Sequence, residues 1–191
     1  MYQNRVVFIS NKTNDMNTYI LLKRQIEENY NQSLSIRDMR FYLLCLLALE
    51  SGARASDLLK LTWDQIDTDN LIVSFRNHKS KKLQQQNITR TFVSYLNRYR
   101  EVVEGQYYNN NIFYNHYKRS IMSRVTANLR TSKEFNINFH ELRKEAAKNV
   151  CNQKGVVLTS TFLGHSKVST TDIYLGVSKN TYLKHMKDIN I

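Results

Sequence analysis

The sequence predicts a mainly α, α+β fold: a helical domain with a small antiparallel β-sheet. Three observations carry that prediction. Apolar residues recur at three- and four-residue spacing through most of the 191 residues, the period of helices with one buried face. One stretch breaks the rhythm: Leu71-Ile72-Val73-Ser74-Phe75 is the short β-branched and aromatic run expected of a strand. Hydrophobic residues at 41% and aromatics at 11% suit a globular chain, and this length fits one domain with a sizeable core.

Taken in order, Val6 to Ser10 is either a short strand or an extended arm. Asp15 to Asn29 reads as a polar amphipathic helix carrying Ile20, Leu21 and Ile26. Ser35 and Asp38 form a capping-box pair that opens a second helix. Phe41, Leu43, Leu44, Leu46, Leu47 and Leu49 make that helix apolar nearly all round, so it should be central and buried. Ser51-Gly52 ends it. Arg54 then sits where a buried helix stops, beside a new turn beginning at Ser56, and Asp57 to Trp63 packs Leu58, Leu59, Leu61 and Trp63. The strand over 71–75 is expected to pair with Asn87 to Phe92. Between them the link from Arg76 to Gln86 carries Arg76, His78, Lys79, Lys81 and Lys82, a poor core element and a good phosphate contact.

Phe92, Tyr95, Leu96, Tyr99, Val102 and Val103 recur at helical spacing, and Gly105 suits the C-cap. A tyrosine- and asparagine-rich connection follows from Tyr107 to Tyr117. Ile121, Val125 and Leu129 mark another helix, with Lys118, Arg119, Arg124 and Arg130 along its polar side. His140 to Asn152 is the next helix, closing near Gly155. Two short helices flank His165, and Ser178 caps a final one ending near Asn190. The expected total is about eight helices against two or three short strands.

The formal charge of +12 points to a polyanionic partner. The longest apolar run, Phe41 to Leu49, is far too short to span a bilayer, which favours nucleic acid over a membrane. Cys45 and Cys151 lack metal-ligand spacing and read as small buried hydrophobes of a reducing compartment. The N-terminus has no charged-then-apolar signal pattern.

Three polar stretches stand apart from the packing pattern. Thr161 to Leu175, TFLGHSKVSTTDIYL, places His165 and Tyr174 nine residues apart, with Ser169 and Asp172 spaced as a capping box between them. Phe139-His140-Glu141-Leu142-Arg143 sets His140 and Arg143 three apart, on one helix face. Ser51-Gly52-Ala53-Arg54-Ala55-Ser56-Asp57-Leu58 places Arg54 at a helix end. An arginine fork holds two phosphate oxygens at once and keeps its charge. Two forks aimed in advance would stabilise a pentacoordinate phosphorane.

These motifs resemble the catalytic domain of the tyrosine recombinases, the integrase family of site-specific DNA recombinases. SGARASDLLKLTWDQI, Ser51 to Ile66, is similar to the family's first box. It implies Arg54 as first catalytic arginine and Asp57 as the acidic residue that braces the site. His140-Glu141-Leu142-Arg143 is similar to the His-x-Leu-Arg box, implying His140 and the second arginine, Arg143. Leu163-Gly164-His165 is similar to the Leu-Gly-His box, and Tyr174 falls at the nucleophile's spacing. The family's hairpin lysine resembles Lys79, chosen over Lys81 and Lys82 because it heads the Lys-Ser-Lys-Lys run. Ala53, Asp57 and Lys144-Glu145 depart from the usual residues without removing a catalytic group.

The resemblance covers roughly Ser35 to Leu175 and implies the recombinase fold. Its activity would be DNA cleavage and rejoining through a 3′-phosphotyrosyl bond, with no metal and no other cofactor. DNA contacts are expected from Arg76, His78, Lys81, Lys82, Arg119 and Arg124. The chain is expected to be one catalytic domain over 1–191, with residues 1–34 as an N-terminal extension and 175–191 as a C-terminal tail. Relatives usually carry a separate helical core-binding domain ahead of it. With only about 35 residues before the first matching helix, that domain is expected to be absent, in a minimal enzyme or a catalytic fragment. The implied partners are double-stranded DNA and a homotetramer assembled on it through the tail, and no membrane. The implied location is cytoplasmic and DNA-associated, in a mobile-element or viral setting. Two competing readings are a type IB topoisomerase-like relaxing enzyme and a DNA-binding module without a working site.

Overall fold

The computed structural model describes residues 15–77, 81–104, 109–115, 118–165 and 171. Its helices are α1 (Asp15–Asn31), α2 (Ile36–Ser51), α3 (Ala55–Leu58), α4 (Arg90–Glu104), α5 (Arg124–Phe135) and α6 (Phe139–Leu163). Its strands are β1 (Ile66–Asp67), β2 (Ile72–Arg76), β3 (Leu83–Asn87), β4 (Tyr114–Asn115) and β5 (Ser120–Ile121), with a 3₁₀ turn at Trp63–Gln65. Helices dominate and the sheets are small and antiparallel.

Helix α2 is the axis of the molecule. Ser35 caps its start, accepting from the Asp38 amide at 3.1 Å. From Met39 to Leu49 every residue is buried, so α1, α4 and α6 can all pack around it. Each large side chain it withdraws from water contributes about 1.5–3 kcal/mol. Helix α1 covers one flank with Leu22, Ile26 and Tyr30, and the Tyr30 hydroxyl donates to the Tyr95 carbonyl of α4 at 2.6 Å.

The sheet order is β1-β2-β3, with Val73 opposite Gln86 and Phe75 opposite Gln84. Val73 and Phe75 point into the core. Here the structure corrects the sequence reading. The partner strand is Leu83–Asn87, not Asn87 to Phe92, because Thr89 starts α4 by accepting from the Phe92 amide at 3.1 Å. The polar run Gln84-Gln85-Gln86 hid the strand from a reading based on apolar alternation.

A second correction concerns α5. Ile121 belongs to β5, and Ser123 caps a helix that begins at Arg124. The buried face is Ala127, Thr131 and Phe135, whereas Val125 and Leu129 are 68% and 65% exposed. A small and a polar residue share the buried stripe, with Thr131 donating back to the Ala127 carbonyl at 2.8 Å. Arg130, expected along the polar side of this helix, is paired with Asp38 at 2.6 Å and Glu134 at 3.1 Å, and lies 4.1 Å from the Phe41 ring centre.

Helix α6 begins one residue before His140; as expected, its helical backbone breaks at Gly155, at φ +80°, and a second helical stretch then runs on to Leu163. Helix α3 likewise starts at Ala55, one residue before the expected Ser56. Cys45 is buried as expected, while Cys151 is only half-buried. The expected Val6 to Ser10 arm, the Gly105 cap, the Ser169/Asp172 capping box and the final helix from Ser178 lie outside the described residues. Among the described residues no helix is long and apolar enough to cross a membrane.

Candidate active site

Two helix ends and two helix starts converge here. At the end of α2, Gly52 adopts φ +59°. A Cβ there would come within 2.3 Å of the Phe162 ring, so only glycine lets the chain turn out beneath α6. That turn delivers Arg54 to the N-cap position of α3, where its carbonyl accepts from the Asp57 and Leu58 amides. Arg54 is half-buried, and its Nη1 is enclosed without a hydrogen-bond partner among the described residues. Asp57 is buried within the same turn.

Arg143 rises from the second turn of α6 and is 3% exposed. Its Nη1 donates to the Gly52 carbonyl, and its Nη2 donates to the Leu163 carbonyl at 3.0 Å. The same Nη2 lies 3.3 Å from His165 Nε2. One guanidinium therefore ties the end of α2 to the end of α6. Gly164, at φ +63°, turns the chain out of α6 and sets His165 beside it. On its other side, His165 Nδ1 lies 3.0 Å from the hydroxyl of Thr171, which is fully buried.

His140 sits in the first turn of α6, after the Asn138 cap that accepts from the Glu141 amide at 3.1 Å. It faces a groove of about 460 Å³ whose walls include Arg54, Ser56, Arg124, Asn128 and Arg143. Desolvation against the groove wall, then the cations Arg143 and Lys144, hold its imidazole below the usual histidine range. Arg54 adds to this and Glu141 opposes it. A neutral imidazole in a cationic groove can take a proton.

Of the residues singled out from sequence, Arg54, His140, Arg143 and Arg124 share this groove, and His165 joins through Arg143. Arg76, Lys81 and Lys82 are exposed on the β2–β3 hairpin, and Arg119 is exposed in the β4–β5 turn at φ +48°. None of these four lines the groove. Lys79, His78 and Tyr174 lie outside the described residues.

Two contacts were not anticipated. Gln86 Nε2 donates to the Phe162 carbonyl at 2.7 Å, and the Gln84 amide crowds Gly164, where a Cβ would meet it at 2.0 Å. The hairpin that bears residues 78–80 is thus fastened to the turn that bears His165. Three successive glutamines in a strand are the only sequence signal for this, since their packing value there is low. Thr171 was missed as well; it differs from its neighbour Thr170 in nothing but position.

The profile of the Phage integrase family matches residues 20–181. Among solved structures, XerA recombinase superposes with a TM-score of 0.71 at 19% identity, covering 94% of this chain and 64% of that one. The XerH site-specific recombinase, bound to palindromic difH substrate in a post-cleavage complex, gives 0.70 at 18%, covering 92% and 51%. The Tn1549 transposon integrase in complex with transposon right end DNA gives 0.65 at 13%, covering 98% and 70%. This chain therefore spans less than two thirds of the XerA and XerH chains. Among curated proteins no sequence matches it.

Proposed function

Because this chain belongs to the phage integrase family, we propose that it is a tyrosine site-specific recombinase that cuts and rejoins double-stranded DNA. The observation that carries the reading is the shared groove of Arg54, His140 and Arg143, with His165 held against Arg143. A scissile phosphate seated there would give an acceptor to the enclosed Arg54 Nη1, which has none among the described residues. The arginine forks would then meet the charge that grows on the nonbridging oxygens in the transition state.

In this reading Tyr174 is the nucleophile. Its phenolic oxygen attacks phosphorus as the bond to the 5′-oxygen breaks, giving a 3′-phosphotyrosyl bond and a free 5′-hydroxyl. The phenolic proton passes to His140, neutral in this cationic groove. The departing 5′-oxygen takes a proton from Lys79, on the hairpin that Gln86 fastens to α6. A 5′-hydroxyl from a second duplex then reverses the chemistry. Bond energy is kept in the phosphodiester throughout, so these steps call on no further reactant. Arg76, Lys81, Lys82, Arg119 and Arg124 would contact neighbouring phosphates, and Asp57 would brace the Arg54 turn from its buried position. The tail, residues 175–191, would pack on a neighbouring protomer within a DNA-bound tetramer.

The test uses a library of nicked duplexes randomised around the nick, from which covalent protein–DNA complexes are recovered and sequenced. The protein should accumulate such complexes on a subset of sequences. Tyr174→Phe should form none while binding the same DNA. Complexes that survive this change would sink the assignment.

A further inference from the structure

The contacts of His165 imply a role for the residue behind it. Arg143 Nη2 carries only N–H groups and cannot accept a hydrogen bond. At 3.3 Å from it, His165 Nε2 must be the acceptor and carry no proton. A neutral ring then has its proton on Nδ1, which donates to the Thr171 hydroxyl at 3.0 Å. A phosphate in the groove reverses this demand. Once its oxygens accept from Arg143, His165 can join only as a donor, with a proton on Nε2. Nδ1 must then accept, or the ring must become cationic and donate from both nitrogens.

We propose that Thr171 is a positioning residue whose buried hydroxyl lets His165 exchange an acceptor toward Arg143 for a donor toward the phosphate. A hydroxyl both donates and accepts. It pairs with Nδ1–H before DNA binds and donates to bare Nδ1 afterwards. During the exchange one proton leaves Nδ1 to water and one reaches Nε2 from water, so the neutral ring is conserved. Thr171 is fully buried, so removing its hydroxyl takes away the 3.0 Å contact to Nδ1 with no open path for water to replace it. The role in cleavage rests on the recombinase reading; the tautomer in the free protein does not.

Two measurements test it. In the free protein, nitrogen-15 NMR of the histidine rings reports each tautomer, and the His165 signals are identified by their loss in His165→Gln. The parent, Thr171→Ser and Thr171→Val should all show a proton on Nδ1, because Arg143 keeps Nε2 an acceptor in each. A proton on Nε2 in the free parent overturns the proposal without any variant. The second measurement is the rate of covalent complex formation on a duplex recovered from the library. Thr171→Val should be about tenfold slower, the scale of one hydrogen bond, with Thr171→Ser within about twofold of the parent and DNA binding equal in all three. A parent-like rate for Thr171→Val, or an equally slow folded Thr171→Ser, would overturn it. A parent that forms no complex with any library member would instead defeat the recombinase reading, leaving the tautomer measurement to decide the pair.

Discussion

Arg54 and Arg143 look equivalent in the sequence and differ in the structure. Arg54 has an enclosed nitrogen without a hydrogen-bond partner among the described residues, whereas Arg143 cross-links Gly52 and Leu163 through their carbonyls. Lysine keeps the charge at either position and loses the fork. Both Arg54→Lys and Arg143→Lys should therefore slow covalent complex formation about 10²-fold, the scale of one lost transition-state donor. Only Arg143→Lys should also lower stability, by about 2 kcal/mol, since hydrogen bonds to a buried charge are lost. Urea denaturation of the two variants separates the roles, and equal stability losses would contradict the cross-link. His140 supplies a pH signature. Its folded-state pKa is depressed, so the unfolded chain binds that proton more readily. Its contribution to stability is complete above the ordinary histidine value of about 6.5 and declines as pH falls below it. As the accepting base, His140 should keep the cleavage rate level down to about pH 6.5, with the acid limb below. An acid limb above that value, or one unchanged in His140→Asn, would remove it from the role.

With no proline in the chain, helices must stop by other means, and left-handed caps do it. Gly52, Asn136 and Gly164 each end a helix at positive φ. Gly164 also lies against the Gln84 amide. Gly164→Ala should cost about 1–2 kcal/mol for the left-handed backbone, plus a contact penalty from Gln84. Gln84→Ala should recover the contact penalty alone, so the two changes should couple by at least about 0.5 kcal/mol in a denaturation cycle. Strict additivity would mean that β3 and the His165 turn are independent. At this scale the sequence was legible where caps and apolar faces agree: Ser35 and Asp38 opened α2, and Gly52 closed it. It misled where polar residues do structural work, as with the glutamines of β3 and Thr131 of α5.

Across the whole molecule, a charge of +12 would make phosphate contacts the main source of affinity for the proposed DNA partner. Raising salt from about 50 to 200 mM should weaken binding on the order of 10³-fold, as for six or more phosphate contacts. A shallow dependence in titrations across that range would contradict the view. The tail carries Val177, Tyr182, Leu183 and Met186 at near-helical spacing, a stripe that buries as well against a partner as against its own domain. Removing residues 177–191 should reduce pairing of two DNA-bound complexes, measured by sedimentation, more than binding to a single duplex. Equal loss of stability in the free monomer would place the tail in cis instead.

The residue types, their spacing and the excess of positive charge are properties of the sequence, and they were enough to establish the helical class and nominate Arg54, His140, Arg143 and His165. Chemistry that needs particular side chains leaves its mark in one dimension. What the tertiary structure decided is which groups face one another. Gln86 reaches Phe162 across 76 residues and Arg143 reaches Gly52 across 91. Thr171 became distinguishable from Thr170 only through the ring beside it. Such pairings follow from how α2 is enclosed and where the chain turns out at the ends of α2 and α6, and no local spacing encodes them.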